Sequence, residues 1–165
     1  MRPPFAVAPG PGQVSVWDFP RPPRLEAVDA PVRIEFGGEV VAATTRAVRV
    51  CETASPPTYY VPWSDVRAGA LVRAAGSSFC EWKGQAAYWT VRTAQGESPS
   101  AAWSYPTPAP AFGVLRDYVA FYPGRVDGCW VGDERVRPQP GGFYGGWITA
   151  DLVGPFKGEP GTGHW

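Results

Sequence analysis

Residues 32–45 read Val32-Arg33-Ile34-Glu35-Phe36-Gly37-Gly38-Glu39-Val40-Val41-Ala42-Ala43-Thr44-Thr45. Val32, Ile34 and Phe36 alternate with Arg33 and Glu35, the period of a strand with one buried face. Gly37-Gly38 is a hairpin turn signal, and the run that returns from it is rich in β-branched residues. The pattern recurs outward along the chain. Ala47 to Thr53 sets Val48 and Val50 inward, and Thr58 to Val61 is a short strand ended by Pro62. Gln85 to Thr93 places Ala87, Trp89 and Val91 on one face and Tyr88, Thr90 and Arg92 on the other. Ala101 to Tyr105, Tyr118 to Tyr122 and a hairpin about Gly132-Asp133 follow. A turn is expected at Gly76-Ser77-Ser78, and single helical turns after Ser64-Asp65 and near residues 112–116. No stretch reads as a long amphipathic helix, so the fold class is mainly β, built from short strands.

Composition bounds the rest. Gly and Pro contribute 20 residues each, yet 14% of the chain is aromatic and 44% hydrophobic. The first fact demands loops and the second a packed core, because disordered chains are short of large apolar residues. Formal net charge is zero, which leaves no overall field to draw nucleic acid or an anionic membrane. No window reaches the roughly 18 apolar residues of a membrane span. The first residues lack an apolar signal segment, and the three cysteines are odd in number and widely spaced. Together these predict a cytoplasmic protein without disulfides. Residues 1–30 read as a proline-rich arm carrying Trp17-Asp18-Phe19, residues 31–138 as one β domain, and residues 139–165 as a Gly/Pro/aromatic tail packed on it.

The chemistry concentrates in Ser78-Phe79-Cys80-Glu81-Trp82-Lys83-Gly84, with Glu52 through Tyr60 upstream and Trp103-Ser104-Tyr105 downstream. Strand parity sets Glu52 inward beside Val48 and Val50. A carboxylate there needs a cation, and Lys83 is the best candidate. Lys83 reads either as a structural partner of Glu52 or Glu81, or as a clamp for an anionic ligand. Cys80 beside Lys83 has the makings of an activated thiolate, or is simply a packed thiol. The only histidine is His164, so a thiol in the domain lacks its usual base. Tyr60, Trp82, Tyr88, Trp103 and Tyr105 read as core aromatics or as a stacking wall, and their polar tips favour the wall. Gly141-Gly142-Phe143-Tyr144-Gly145-Gly146 lacks the Gly-Lys-Ser/Thr ending of a phosphate loop and reads as an irregular loop. With no Cys-x-x-Cys and no histidine cluster, neither a metal nor another cofactor is expected.

The segments Glu52-Thr53-Ala54-Ser55-Pro56-Pro57-Thr58-Tyr59-Tyr60-Val61-Pro62, Phe79 through Tyr88 and Ala102-Trp103-Ser104-Tyr105-Pro106 resemble a bacterial family catalogued as domain of unknown function 427. The resemblance implies a β-tent-like fold, two antiparallel sheets splayed around a cleft, here without the zinc knuckles of metal-holding relatives. It implies a ligand cleft against aromatic walls. Some members carry two copies, so the single copy here leaves room for a homodimer. The family also bears a nucleotidyltransferase-like label, but Glu52 and Glu81 are the only acids in the central motifs, where metal-assisted transfer needs paired carboxylates. The leading expectation is a small-molecule-binding domain whose site comprises Glu52, Tyr60, Cys80, Trp82, Lys83, Tyr88, Trp103 and Tyr105. The alternatives are an enzyme of nucleotidyltransferase-like or thiol-dependent type using Cys80 and Lys83, and a dimerising interaction module.

Overall fold

A computed structural model of the protein describes residues 2–162 and 164–165. In chain order the strands are β1 (Val14–Ser15), β2 (Arg24–Ala27), β3 (Val32–Phe36), β4 (Glu39–Thr44) and β5 (Val48–Cys51). They continue as β6 (Thr58–Pro62), β7 (Leu71–Cys80), β8 (Gly84–Thr93), β9 (Gly96–Ser104) and β10 (Tyr118–Phe121). The last are β11 (Gly128–Val131), β12 (Glu134–Arg135), β13 (Arg137–Pro138), β14 (Trp147–Ile148) and β15 (Leu152–Val153). Helical backbone is confined to 3₁₀ turns at Val16–Asp18, Trp63–Asp65, Pro110–Asp117 and Pro123–Arg125. Among the described residues no helix is long and apolar enough to cross a membrane.

The opening hairpin forms as its alternation requires. Gly37 and Gly38 both take positive φ, 61° and 76°, the backbone that a two-residue turn between twisted strands demands. β3 and β4 join β11 and β12 in a four-stranded sheet of order β12-β11-β3-β4. The other large sheet has seven strands in the order β2-β5-β6-β10-β9-β8-β7. Every pairing within these two sheets is antiparallel.

Period-two alternation divides the seven-stranded sheet between two packings. Tyr59, Val61, Val119, Phe121 and Val91 join Val32, Ile34, Val41 and Cys129 of the smaller sheet in the main core. Tyr60, Ala120, Trp103, Tyr105 and Tyr122 face the opposite way and form a second cluster with Val50, Phe112 and Leu115. On that second face one row of Cα partners runs across five strands. Val48 opposes Tyr60, Tyr60 opposes Ala120, Ala120 opposes Trp103, and Trp103 opposes Tyr88.

The expected turn at Gly76-Ser77-Ser78 is instead a bulge inside a continuous β7. The register with β8 shifts between Arg73 and Ser77, and Gly76 sits at φ 90°. A bulge bends and twists a strand without ending it. The two halves of the β7–β8 hairpin accordingly serve different packings: Leu71, Trp89 and Val91 belong with the main core, Cys80, Ala86 and Tyr88 with the second cluster. The reversal comes later, at Glu81–Lys83.

Arm and tail are tied to each other and to the domain. β1 and β15 pair in parallel, and Val16, Phe19, Cys51 and Leu152 bury one another. Trp17 donates its indole N–H to the Pro155 carbonyl at 3.1 Å, and Phe5 stacks on Trp165 with ring centroids 5.1 Å apart. Trp147 is fully buried, stacks on Tyr59 at 4.7 Å and donates to the Phe121 carbonyl at 3.0 Å.

Candidate functional site

The space between the two large sheets is filled by the main core. A cavity of about 200 Å³ lies on the other face of the seven-stranded sheet. Its floor and walls come from strands β5 to β9 and from Tyr122, and its cover from the tail residues Gln139, Phe143, Tyr144, Gly145 and Lys157. Of the eight residues expected from the sequence, Glu52, Tyr60, Cys80, Lys83, Tyr88, Trp103 and Tyr105 line it. Trp82 does not. It sits half-buried in the Glu81–Lys83 turn and packs on the second cluster from outside the cavity.

The aromatic walls follow from the strand register. Tyr60 and Trp103 lie in one row with only Ala120 between them. That small residue lets the two rings meet edge to face, with centroids 6.2 Å apart and planes at 79°. Tyr122 continues the wall at 4.6 Å from Trp103 and is itself covered by the Arg125 guanidinium, 4.0 Å from the ring centroid. Ser78 and Tyr88 share a hydroxyl hydrogen bond of 2.7 Å, made possible because β7 carries Ser78 past its bulge to the rim. Burial and the neighbouring Tyr88 push the Tyr122 phenol up to about 12. Burial, with Tyr60 and Cys80 beside it, also raises Tyr105, so both phenols are neutral donors at neutral pH.

The tail fits the cavity through a close approach. A Cβ at Gly145 would fall 2.1 Å from the Trp103 ring, so only glycine lets the backbone lie on the indole. Arg125 holds this cover, donating to the Ser100 and Gly142 carbonyls at 2.8 Å each. Gln139 donates to the Lys157 carbonyl at 2.8 Å, and the Lys157 amide donates to the Ala54 carbonyl at 2.8 Å.

Two buried polar groups on the cavity stand apart: one hydroxyl has no partner, and one ammonium has no carboxylate beside it. Tyr60 is fully buried, and its hydroxyl makes no hydrogen bond. Lys83 is only 7% exposed, and among the described residues no carboxylate stands at ion-pair distance from its ammonium, whose polar neighbour is the Cys80 thiol. The expected Glu52–Lys83 pair is therefore not a direct contact. β5 ends at Cys51, and Glu52 follows it half-buried on the cavity wall. Burial opposes the Lys83 charge, but Tyr60, Cys80 and Glu52 outweigh it, so the group titrates above the usual lysine value and is an ammonium at neutral pH. The ammonium also lies 5.7 Å from the centroid of the Tyr105 ring.

Lys157, Tyr122, Tyr144 and Ser78 were not among the sequence candidates. One signal was available for Lys157: it and Lys83 are the chain's only two lysines, and both line this cavity. Parity on β10 also sets Tyr122 on the same side as Ala120. Cys80 is half-buried on the wall, whereas Cys51 and Cys129 are buried elsewhere. Glu52 is the only carboxylate on the lining, and among the described residues no three His, Cys, Asp or Glu side chains gather as a metal site.

A family model described as Domain of unknown function (DUF427), catalogued as NTP_transf_9, matches residues 24–132 of the chain. No curated protein matches it. The matched segment carries the walls of the cavity, while its cover, from Gln139 onward, lies outside the match.

Proposed function

The chain belongs to the DUF427 family, and from the cavity it carries we propose that it binds a small organic molecule against the aromatic face of its large sheet. The observation that carries this reading is that one cavity brings together the unsatisfied, buried Tyr60 hydroxyl and the buried Lys83 ammonium, which has no carboxylate at ion-pair distance among the described residues. A buried hydroxyl without a partner costs about 1–3 kcal/mol, a noticeable share of the ~5–15 kcal/mol by which domains are stable. An anionic ligand that accepts a hydrogen bond from Tyr60 and faces the Lys83 ammonium removes that cost and supplies the ammonium with a counter-charge. The cavity is smaller than the ~300–1,000 Å³ typical of drug-sized ligands, which favours a compact molecule. Three free thiols, two of them buried, support a reducing compartment such as the cytoplasm.

A fragment screen followed by NMR tests the reading. Binders should shift resonances of Tyr60, Lys83, Trp103 and Tyr105 together and should protect Cys80 from thiol reagents. Binders that map elsewhere, or none at millimolar concentration alongside a native mass spectrum without bound small molecule, would sink it.

A further inference from the structure

We infer that the ligand is a small planar monocarboxylic acid, with its carboxylate on the Lys83 ammonium and Tyr60 hydroxyl and its ring along the Trp103 and Tyr122 wall. The inference rests on the reading of the cavity as a ligand site and names the ligand's chemical class.

Charge selects an anion. The chain has two lysines and thirteen arginines, and the cavity takes both lysines and no arginine. Against them stands one carboxylate, Glu52, so the lining carries one positive charge in excess. Lys157 has no ion pair among the described residues; its ammonium lies 5.3 Å from the Tyr144 ring centroid. A monoanion brings the site to neutrality, whereas a phosphate dianion overshoots.

Donor geometry separates carboxylate from phosphate. Phosphate sites recruit arginine forks and helix N-termini, which supply several N–H donors around a tetrahedral group. Here no arginine and no 3₁₀ turn lines the cavity. An ammonium and a phenol, two donors of which one is charged, suit the two oxygens of a carboxylate.

Shape selects a flat molecule. Trp103 meets Tyr122 at 4.6 Å and Tyr60 edge-on at 6.2 Å, so the wall between them offers aromatic faces and edges. Flat rings gain most from such walls through offset stacking and edge contact. Glu52 on the same lining repels a second acidic group, which disfavours dicarboxylates.

The test titrates the full chain with benzoate, 4-hydroxybenzoate and indole-3-carboxylate, with the neutral isosteres benzamide and methyl benzoate, and with inorganic phosphate. Calorimetry or ligand-observed NMR reads the affinities. At least one acid should bind ten-fold or more tightly than its neutral isostere. Lys83→Met should remove that preference, with a cooperative melt showing that the variant is folded. Lys157→Gln should weaken the acids by several-fold and the neutral isosteres hardly at all. Equal binding of acid and amide overturns the proposal, as does phosphate competing at the affinity of the acids. If no acid binds while native mass spectrometry finds another molecule held at Tyr60 and Lys83, the carboxylate class falls and the ligand site stands. If neither appears, both fall.

Discussion

Tyr60 is where stability and function pull apart most visibly. Its ring is fully buried between strands and its hydroxyl has no partner, so the oxygen contributes nothing to the unliganded fold. Tyr60→Phe is expected to leave the melting temperature of the free protein unchanged or to raise stability by about 1 kcal/mol, by removing an orphaned polar group. The same variant should bind the cavity's ligand more weakly. A lowered melting temperature in the absence of ligand would mean that the hydroxyl has a partner after all. The cysteines give a second residue-scale expectation. Burial pushes the Cys51 thiol up to about 12, and burial raises Cys129 as well. Only the half-buried Cys80 should therefore react with a thiol reagent under native conditions, and all three after denaturation. A count of modified thiols by intact mass settles it.

At the scale of elements, the tail loop over the cavity is held by few bonds. Arg125 spans it, stacked on Tyr122 and donating to the carbonyls of Ser100 and Gly142. Arg125→Ala should free the loop while β6, β9 and β10 stay intact. Amide exchange should accelerate several-fold across residues 139–146 and stay unchanged in Tyr118–Phe121. Strands with strict alternation were legible in the sequence: β3, β4, β8 and β10 stand where period two puts them. Parity also set Trp103 and Tyr105 on one side, while Tyr60 and Tyr88 were grouped with them only by their polar tips. Gly76 was misread because a glycine between strand-like runs marks a turn or a bulge alike, and only the partner strand's register tells them apart. Trp82 was misplaced for the related reason that the chain reverses at Glu81–Lys83, where alternation no longer says which way a side chain points. The tail's part in the cavity had no local signal. Gly145 lies on Trp103 and Lys157 reaches the lining through long-range packing, which no short window of sequence contains.

For the whole molecule, pH dependence is set by carboxylates tied to arginines. Burial opposes the Glu26 charge, but hydrogen bonds from Arg49 and Arg24 prevail and its pKa falls below the ordinary 4.5. The Thr44 hydroxyl and Arg46 likewise lower Asp65. A carboxylate depressed by folding contributes stability that is complete above its unfolded pKa and is lost as pH falls through the folded value. Urea midpoints should hold steady above about pH 5 and drop towards about pH 3, and Glu26→Gln should flatten part of that drop. The arm supplies the other test at this scale. Trp17 is half-buried between Phe5, Trp165 and the Pro155 carbonyl, so Trp17→Ala should cost roughly 2 kcal/mol, less than a fully buried tryptophan.

The parallel pairing of β1 with β15 has a thermodynamic consequence for the cavity. β1 holds Leu152–Val153, and the chain runs from there through Phe156 to Lys157, whose amide is fastened to Ala54. The arm is thus tied through the chain to one of the two cations on the cavity lining. For a cavity that takes a ligand as proposed, the expected outcome is that a molecule pulling Trp17 out of its seat weakens the ligand's hold, and by reciprocity of linkage the bound ligand then resists that molecule by the same factor. Protection of the first twenty residues from amide exchange should then rise when the cavity is filled.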